Sequence, residues 1–342
     1  MKNNFVRIII VLIFLVGVVI FLNHSRHGNR STVTIAGEVM GTTYHIKVVD
    51  AVAGDLSKVL KERLDEVDAL MSTYKKNSDV SRINRSAVNS SVKVANETFY
   101  VLTAAQQISV ATDGAFDVTI GKLVNLWGFG PTINIKQVPD DATVQALRGS
   151  TGYRHLHLDN VHNEVTKDSD DVYVDLSAIA KGYAVDAAAQ LLLQRGIDNF
   201  MVEIGGEIIT HGHKYRNLPW VIGIESPQVD KRIVQKKLYL HNVAMATSGD
   251  YRNYFEVNGQ RYSHTINPAT GYPIRHRLAS VTVISDSCMH ADALATALMV
   301  MGPQKGMRYA REHNLAVLML IKQGNHFIER RSSGFERYLR QL

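Results

Sequence analysis

The stretch that most constrains the fold of this chain is residues 174–207, VDLSAIAKGYAVDAAAQLLLQRGIDNFMVEIGGE. Apolar residues alternate with other residues at positions 172–176, which predicts a short strand. Ser177 then stands where it can cap a helix with apolar residues at helical spacing, and Gly196 is expected to end that helix. Residues 200–204 predict a second strand, and the double glycine after it permits a tight turn. The stretch therefore predicts a strand–helix–strand unit.

Asp175 and Lys181 lie close to the start of this predicted helix. Exposed N–H groups at a helix start favour anions, and a lysine adds positive charge, so the unit suits a phosphate group. Charged pairs near helix starts are also common on protein surfaces. From this unit alone, a ligand site and a plain surface ion pair explain the two side chains equally well.

The overall composition is that of an ordinary globular protein. The chain has 342 residues, 45% of them hydrophobic and 20% charged, and it can bury a substantial core. Its net charge of +6 includes the four positive charges that precede the first acidic residue, namely Lys2, Arg7, Arg26 and Arg30. Without them the charge is only +2, which argues against nucleic acid as a partner. Cys288 is the single cysteine, so no intramolecular disulfide forms, and a buried, inert thiol is expected.

An unbroken apolar run occupies residues 8–22, directly after Arg7. The run is somewhat shorter than the ~20 residues of a typical membrane-spanning helix, but Arg7 can snorkel and extend it. Residues 23–28 offer no good small-residue cleavage site, which favours an uncleaved signal anchor over a cleaved signal peptide. We therefore expect residues 1–30 to be a signal anchor or signal peptide with a linker, and residues 31–342 to form one compact domain.

A second informative segment is ADALATAL at residues 291–298. Asp292 and Thr296 are four positions apart and share one face of a helix that otherwise carries alanine and leucine. Oxygen ligands of this kind suit a hard cation such as Mg²⁺, which completes its shell with water and substrate phosphate. A buried hydrogen bond between the two side chains is the alternative explanation.

Three further residues offer flat or polarisable surfaces for a ring system: Met40, Tyr74 and Phe116. An aromatic residue at a helix exit, such as Tyr74, also commonly closes the core. Together with the possible phosphate and metal sites, these residues indicate a dinucleotide or a nucleotide polyphosphate as ligand. Neither G-x-x-x-x-G-K-[ST] nor a G-x-G-x-x-G following a strand occurs, so the site is neither a P-loop nor a Rossmann fingerprint.

Eight short motifs follow one another along the chain. They are MGTTY (40–44), MSTY (71–74), GAFDVT (114–119), DLSAIAKGYAVD (175–186), GGE (205–207), SGDY (248–251), HTINPATG (264–271) and ADALATAL (291–298). This series resembles the ApbE family, the FAD:protein FMN transferases, from about residue 34 to residue 320. The resemblance implies an α+β fold, a single compact T-fold-like domain with mixed or antiparallel sheets and packed helices, preceded here by the N-terminal hydrophobic helix.

The resemblance implies Mg²⁺-dependent cleavage of FAD, in which FMN is attached to a threonine of an acceptor protein and AMP is released. An FAD pyrophosphatase that yields FMN and AMP, and a flavin-binding protein without turnover, are the alternatives. Many bacterial members resemble lipoproteins with a cysteine after the signal, which this chain lacks. The expected location is therefore the inner membrane, with the apolar helix as anchor and the domain on the periplasmic side.

Site residues follow by position from the resemblance. Contacts with FAD are expected from Met40, Tyr74, Ala115, Phe116, Asp117, Asp175, Lys181 and the backbone at Ile266. Metal ligands are expected from Asp292, Thr296, the carbonyl of Ala178 and Ala295. A threonine hydroxyl is a weak nucleophile, so a base is expected to take its proton, either His264 or Asp250. Asp292 is expected to be essential for catalysis through the metal.

Overall fold

The computed structural model describes residues 32–49, 54–131, 138–214, 217–227, 234–250, 253–324 and 326–339. The strands in these ranges are β1 (Val33–Val39), β2 (Thr42–Val48), β3 (Val92–Lys93), β4 (Leu156–Asp159), β5 (Glu164–Lys167), β6 (Phe200–Ile204), β7 (Glu207–His211), β8 (Trp220–Glu225), β9 (Val234–Leu240), β10 (Val243–Gly249), β11 (Tyr254–Val257), β12 (Gln260–Ser263), β13 (Leu278–Ser285), β14 (Ala316–Gln323) and β15 (His326–Arg331). The α-helices are α1 (Leu56–Met71), α2 (Asp79–Arg85), α3 (Asn96–Ala111), α4 (Gly121–Leu126), α5 (Asp141–Ser150), α6 (Ala180–Gln194) and α7 (Cys288–Glu312).

Eight strands form one sheet in the order β1-β2-β6-β7-β10-β13-β14-β15, with every neighbouring pair antiparallel. Helices α1, α6 and α7 pack on one face, against buried residues such as Val202 and Val283. The β8–β9 hairpin and the last 3₁₀ segment pack on the other face, where Met201 and Ile284 point. Because successive side chains of a strand point to opposite faces, a sheet covered on both faces needs nearly continuous apolar strands.

The predicted α+β class, with antiparallel sheets and packed helices, is confirmed. Strands β1 and β2 form a hairpin, whose turn residues Met40 and Gly41 both have positive φ. The predicted N-terminal hydrophobic helix lies within residues 1–31, outside the described residues. Among the helices that the structure does describe, none combines the length and the apolar character needed to cross a membrane. The domain boundary after residue 30 stays a prediction.

Two local predictions in the central unit are wrong. The strand predicted at residues 172–176 is only an extended segment with a single parallel bridge between Tyr173 and Ile120. Ser177 does not cap α6, because the helix begins later, with Ile179 at the cap position and no side-chain cap bond. The Ser177 backbone N–H instead donates to Asp175 Oδ1 over 2.9 Å. A carboxylate therefore organises the turn that leads into α6.

Candidate active site

A cavity of about 450 Å³ lies where the start of α6 and the first half of α7 meet the β6–β7 turn and the end of β10. Loops from several distant parts of the chain close the rest of its wall. Eleven of the fourteen predicted site residues line this cavity: Tyr74, Ala115, Phe116, Asp117, Asp175, Ala178, Lys181, His264, Ile266, Asp292 and Thr296. Tertiary folding thus gathers most of the predicted residues around one space.

The other three predicted residues do not line the cavity. Met40 lies in the β1–β2 turn and packs against the main core. Ala295 is fully buried in the apolar cluster between α7 and the sheet and does not line the cavity. Asp250 follows Gly249, which does line the cavity, but Asp250 itself lines a separate cavity of about 110 Å³.

Lys181 is held by two buried carboxylates at the base of the main cavity. Its Nζ lies 2.6 Å from Glu207 Oε1 and 3.8 Å from Asp292 Oδ1. Burial alone would lower the pKa of Lys181, but the charges of Asp292 and Glu207 raise it overall. Burial raises the pKa of Glu207 to about 7, with the Asp292 charge adding to the rise and Lys181 opposing it. A surface pair of Asp175 with Lys181 is therefore the wrong interpretation.

The Asp292 carboxylate lies close to the start of α6. Its Oδ2 accepts a hydrogen bond from the Gly182 backbone N–H over 3.1 Å, and burial raises the pKa of its carboxyl group. Thr296, one turn further along α7, and Ala178, just before α6, line the same cavity. A carboxylate, a hydroxyl and a loop carbonyl are hard oxygen donors of the kind that Mg²⁺ prefers.

The close packing of α6 on α7 fixes this arrangement. A Cβ atom at Gly182 would lie 2.4 Å from the Cys288 carbonyl oxygen and 2.7 Å from Met289 Cα, so only glycine fits between the two backbones. One turn later on α6, Asp186 accepts hydrogen bonds from Ser287 Oγ and from the backbone N–H groups of Cys288 and Met289, at 2.8–3.0 Å. Asp186 therefore caps α7 from outside and helps to set the position of Asp292.

Two carboxylates that are expected to contact FAD, those of Asp117 and Asp175, accept hydrogen bonds from neighbouring residues of the protein. Asp117 accepts from the Thr119 N–H and hydroxyl with one oxygen and from the Tyr153 N–H with the other, at 2.6–2.8 Å. Asp175 accepts from the Ser177 N–H, and burial raises the pKa of both carboxyl groups. These side chains shape the loops of the cavity wall.

Tyr74 stands at the mouth of the cavity with 76% of its surface exposed. It follows α1, and its backbone N–H donates to Ser72 Oγ over 3.2 Å, which holds the turn. The alternative that Tyr74 closes the core is therefore wrong. Its ring is free to stack on a planar group that enters the cavity.

His264 lines the cavity from the loop after β12. Its Nδ1 is 3.0 Å from the Asn253 carbonyl oxygen, and a carbonyl only accepts, so Nδ1 carries the hydrogen and Nε2 is the free acceptor of the neutral ring. Burial lowers the pKa of His264, and the Asn253 carbonyl partly offsets this effect. The neutral imidazole, which can accept a proton, is therefore the dominant form at pH 7.

The sequence interpretation assigned no role to Glu207 or to the cavity-lining Thr247. Glu207 is only 4% exposed, and its Oε2 accepts from the Thr247 backbone N–H over 3.2 Å. The GGE motif at residues 205–207 could have identified Glu207 from the sequence, because a carboxylate directly after a double glycine lies where the backbone turns sharply. Cys288 is fully buried and burial raises the pKa of its thiol, so the expected inert thiol is confirmed.

Comparison with known proteins identifies relatives of this chain over most of its length. The ApbE family model matches residues 40–319. A Vibrio cholerae protein named FAD:protein FMN transferase is 47% identical over 311 residues, covering 90% of this chain and 92% of that protein. A Haemophilus influenzae protein of the same name is 42% identical over 314 residues, covering 89% of this chain and 91% of its own length.

Solved structures show the same architecture. The structure titled Flavin Transferase ApbE from Vibrio cholerae has a TM-score of 0.83 at 45% identity and covers 90% of this chain and 99% of its own. The apo form of Pseudomonas stutzeri flavinyl transferase ApbE also has a TM-score of 0.83, at 38% identity, with 90% and 97% covered. The fold is thus that of the class of proteins solved as flavin transferases. The chain belongs to the ApbE family.

Proposed function

We propose that this chain is an FAD:protein FMN transferase that attaches FMN through a phosphoester to a threonine of an acceptor protein and releases AMP. One observation carries the proposal: Lys181, Asp292 and Thr296 line a single cavity whose mouth presents the exposed ring of Tyr74. Such a cavity suits a ligand with both an anionic diphosphate and a planar ring system. The names of its relatives supply the enzyme class, a transferase.

The residues present fit a bound Mg²⁺. Two buried carboxylates, Glu207 and Asp292, face the single ammonium group of Lys181, so the site lacks positive charge, and the pKa of both carboxyl groups is raised. Asp292, Thr296 and the Ala178 carbonyl would hold the ion, with water and substrate oxygens completing its shell. In that position Mg²⁺ would supply positive charge to offset that of the diphosphate and of the departing phosphate.

The residues around the diphosphate and the ring have distinct tasks. The side chain of Lys181 is 29% exposed and lines the cavity, and its ammonium attracts the diphosphate as a point charge. Tyr74 stacks on the isoalloxazine ring at the mouth and holds FAD in one orientation. Phe116 is buried with its ring at the cavity wall and gives the ligand an apolar surface.

His264 is the general base in this proposal. The acceptor threonine hydroxyl attacks the phosphorus on the FMN side of the diphosphate, the bond from that phosphorus to the bridging oxygen breaks, and AMP leaves with the bonding electrons. The hydroxyl proton moves to His264 Nε2, which is free because Nδ1 donates to Asn253. The acceptor segment must also exclude water from the cavity, since water in the same position would hydrolyse FAD.

We also propose that residues 8–22 anchor the protein in the inner membrane with the domain on the periplasmic side. The apolar run, the preceding Arg7 and the absence of a small-residue cleavage site support this arrangement. Fusion of alkaline phosphatase, which is active only in the periplasm, after residue 342 gives active enzyme in membrane fractions. An inactive fusion would contradict the orientation.

A single assay tests the transfer reaction. The purified full-length chain is incubated with FAD, Mg²⁺ and an acceptor protein that carries a flavinylation-motif threonine, and the acceptor is viewed under ultraviolet light on a denaturing gel. We expect a fluorescent acceptor band that requires Mg²⁺ and is lost when the acceptor threonine is changed to alanine or when the enzyme carries Asp292→Ala. Release of FMN and AMP with a dark acceptor band would indicate a pyrophosphatase, and no turnover of FAD at all would indicate a flavin-binding protein.

A further inference from the structure

Glu207 is the buried charged residue of the cavity that the transfer mechanism does not use. It is the first residue of β7 and follows Gly205 and Gly206, both of which have positive φ. Both of its carboxylate oxygens are engaged, Oε1 with Lys181 Nζ at 2.6 Å and Oε2 with the Thr247 N–H at 3.2 Å. A side chain held at both oxygens has one position, so Glu207 fixes the place of the Lys181 ammonium.

The position that Glu207 imposes keeps Lys181 away from a full ion pair with Asp292. The Lys181 Nζ to Asp292 Oδ1 distance is 3.8 Å, longer than the 2.7–2.9 Å of a charge-assisted hydrogen bond. Asp292 Oδ2 is turned toward the Gly182 N–H, so Oδ1 is the oxygen that faces the ammonium. The Lys181 ammonium would therefore need to move only about 1 Å to form a charge-assisted hydrogen bond with Asp292, the carboxylate that would bind the metal ion.

We propose that Glu207 is a positioning residue that holds Lys181 off Asp292 and thereby keeps the Asp292 carboxylate available for a divalent cation. This inference rests on the proposed function, since it concerns the Mg²⁺ of that same site. The Lys181 ammonium and a metal ion would compete for the Asp292 carboxylate. Glu207 reduces this competition because it binds the ammonium at the shorter distance, 2.6 Å against 3.8 Å. With Glu207 neutral, Lys181 would move onto Asp292, and the metal ion would have to displace it.

The test measures Mg²⁺ binding to the full-length chain by titration calorimetry without FAD, so that it does not depend on turnover. Glu207→Gln keeps the size of the side chain and removes its charge, and we expect the Kd for Mg²⁺ to rise about tenfold or more. Glu203→Gln is the matched control, because Glu203 also lies in the β6–β7 hairpin but accepts from the Gly206 N–H and does not line the cavity. That variant should bind Mg²⁺ with wild-type affinity.

The double variant Glu207→Gln with Lys181→Met distinguishes positioning from other roles. Removing the competing ammonium should restore the Kd to within about threefold of wild type, although Glu207 is still absent. A crystal structure of Glu207→Gln without Mg²⁺ should show the Lys181 Nζ to Asp292 Oδ1 distance shortened from 3.8 Å to hydrogen-bond length. Circular dichroism checks that each variant is folded.

Three results would overturn the inference: wild-type affinity in Glu207→Gln, a double variant as weak as Glu207→Gln, or a wild-type chain that binds no Mg²⁺. The second result would mean that Glu207 acts as a ligand itself or only supports the fold. A different outcome would refute only the proposed transfer. In that outcome the wild-type chain binds Mg²⁺ and the variants change its affinity as expected, but the wild type never labels an acceptor, and the role of Glu207 stands.

Discussion

Gly182 provides a sharp test of how the two helices of the site are held together. An alanine in place of a helical glycine normally stabilises a protein by ~1 kcal/mol, because alanine has the higher helix propensity. At Gly182 the added Cβ would lie 2.4 Å from the Cys288 carbonyl oxygen and 2.7 Å from both Cys288 C and Met289 Cα. We therefore expect Gly182→Ala to reverse the usual sign and destabilise the protein.

The magnitude follows from these distances. A carbon atom ordinarily stays ~3.3–3.6 Å from a carbonyl oxygen, so α6 and α7 would have to separate by ~1 Å. Overpacking of a buried contact typically costs ~1–3 kcal/mol. The three atoms that the added Cβ would meet all belong to the backbone, which cannot rotate away. The upper end of this overpacking range therefore applies. After the propensity gain is subtracted, the free energy of unfolding should fall by ~2 kcal/mol.

Urea denaturation with linear extrapolation measures this change, and an unchanged m-value shows that it reflects stability. Gly149→Ala in α5 is the matched control, because a Cβ there meets nothing within 4 Å. That variant should gain ~0.5–1 kcal/mol. If Gly182→Ala were as stable as wild type, or more stable, the close approach of α6 to α7 would be refuted. The Gly182 N–H donates to Asp292, so weaker Mg²⁺ binding should accompany the loss of stability.

Three other perturbations follow from the site. Tyr74→Ala should weaken FAD binding roughly tenfold in a flavin fluorescence titration and leave stability within ~0.5 kcal/mol, because the ring is 76% exposed; unchanged FAD affinity would remove the stacking role. Since burial lowers the pKa of His264, kcat/KM for FMN transfer should fall with decreasing pH only below ~6.5, as the imidazole is protonated; a midpoint above that value would contradict a buried neutral base. Asp186→Asn should lower the unfolding free energy by ~1–2 kcal/mol in urea denaturation, because charge-assisted bonds to the start of α7 are lost; no change would mean that the external cap contributes little.

Several parts of the site were predictable because their signals are local. Asp292 and Thr296 share a helix face by spacing alone, and the structure places both on the cavity wall. The phosphate-suited position of Lys181 near a helix start is also a local property of the chain. The partner of Lys181 was not predictable in this way, because Glu207 lies 26 positions away, and only sheet and helix packing bring the two together.

Non-local packing also explains why three predicted site residues do not line the cavity, and the predicted helix cap differs from the structure as well. Ser177 has the residue type of a helix cap, but Asp175 takes the Ser177 N–H and delays the start of α6. Asp250 follows Gly249, which lines the main cavity, yet Asp250 lines a different cavity. Met40 and Ala295 pack against the core and do not line the cavity.

The sequence by itself determined the family, because the short motifs that identify it are written along the chain, and the resemblance in turn implied the α+β class. It also determined which residue types were present for chemistry. The tertiary structure alone decided that Lys181 lies between Glu207 and Asp292, that Tyr74 is exposed, and that His264 has a free Nε2. Those properties depend on distances, burial and charge between distant segments, and these exist only once the sheet has brought the segments together.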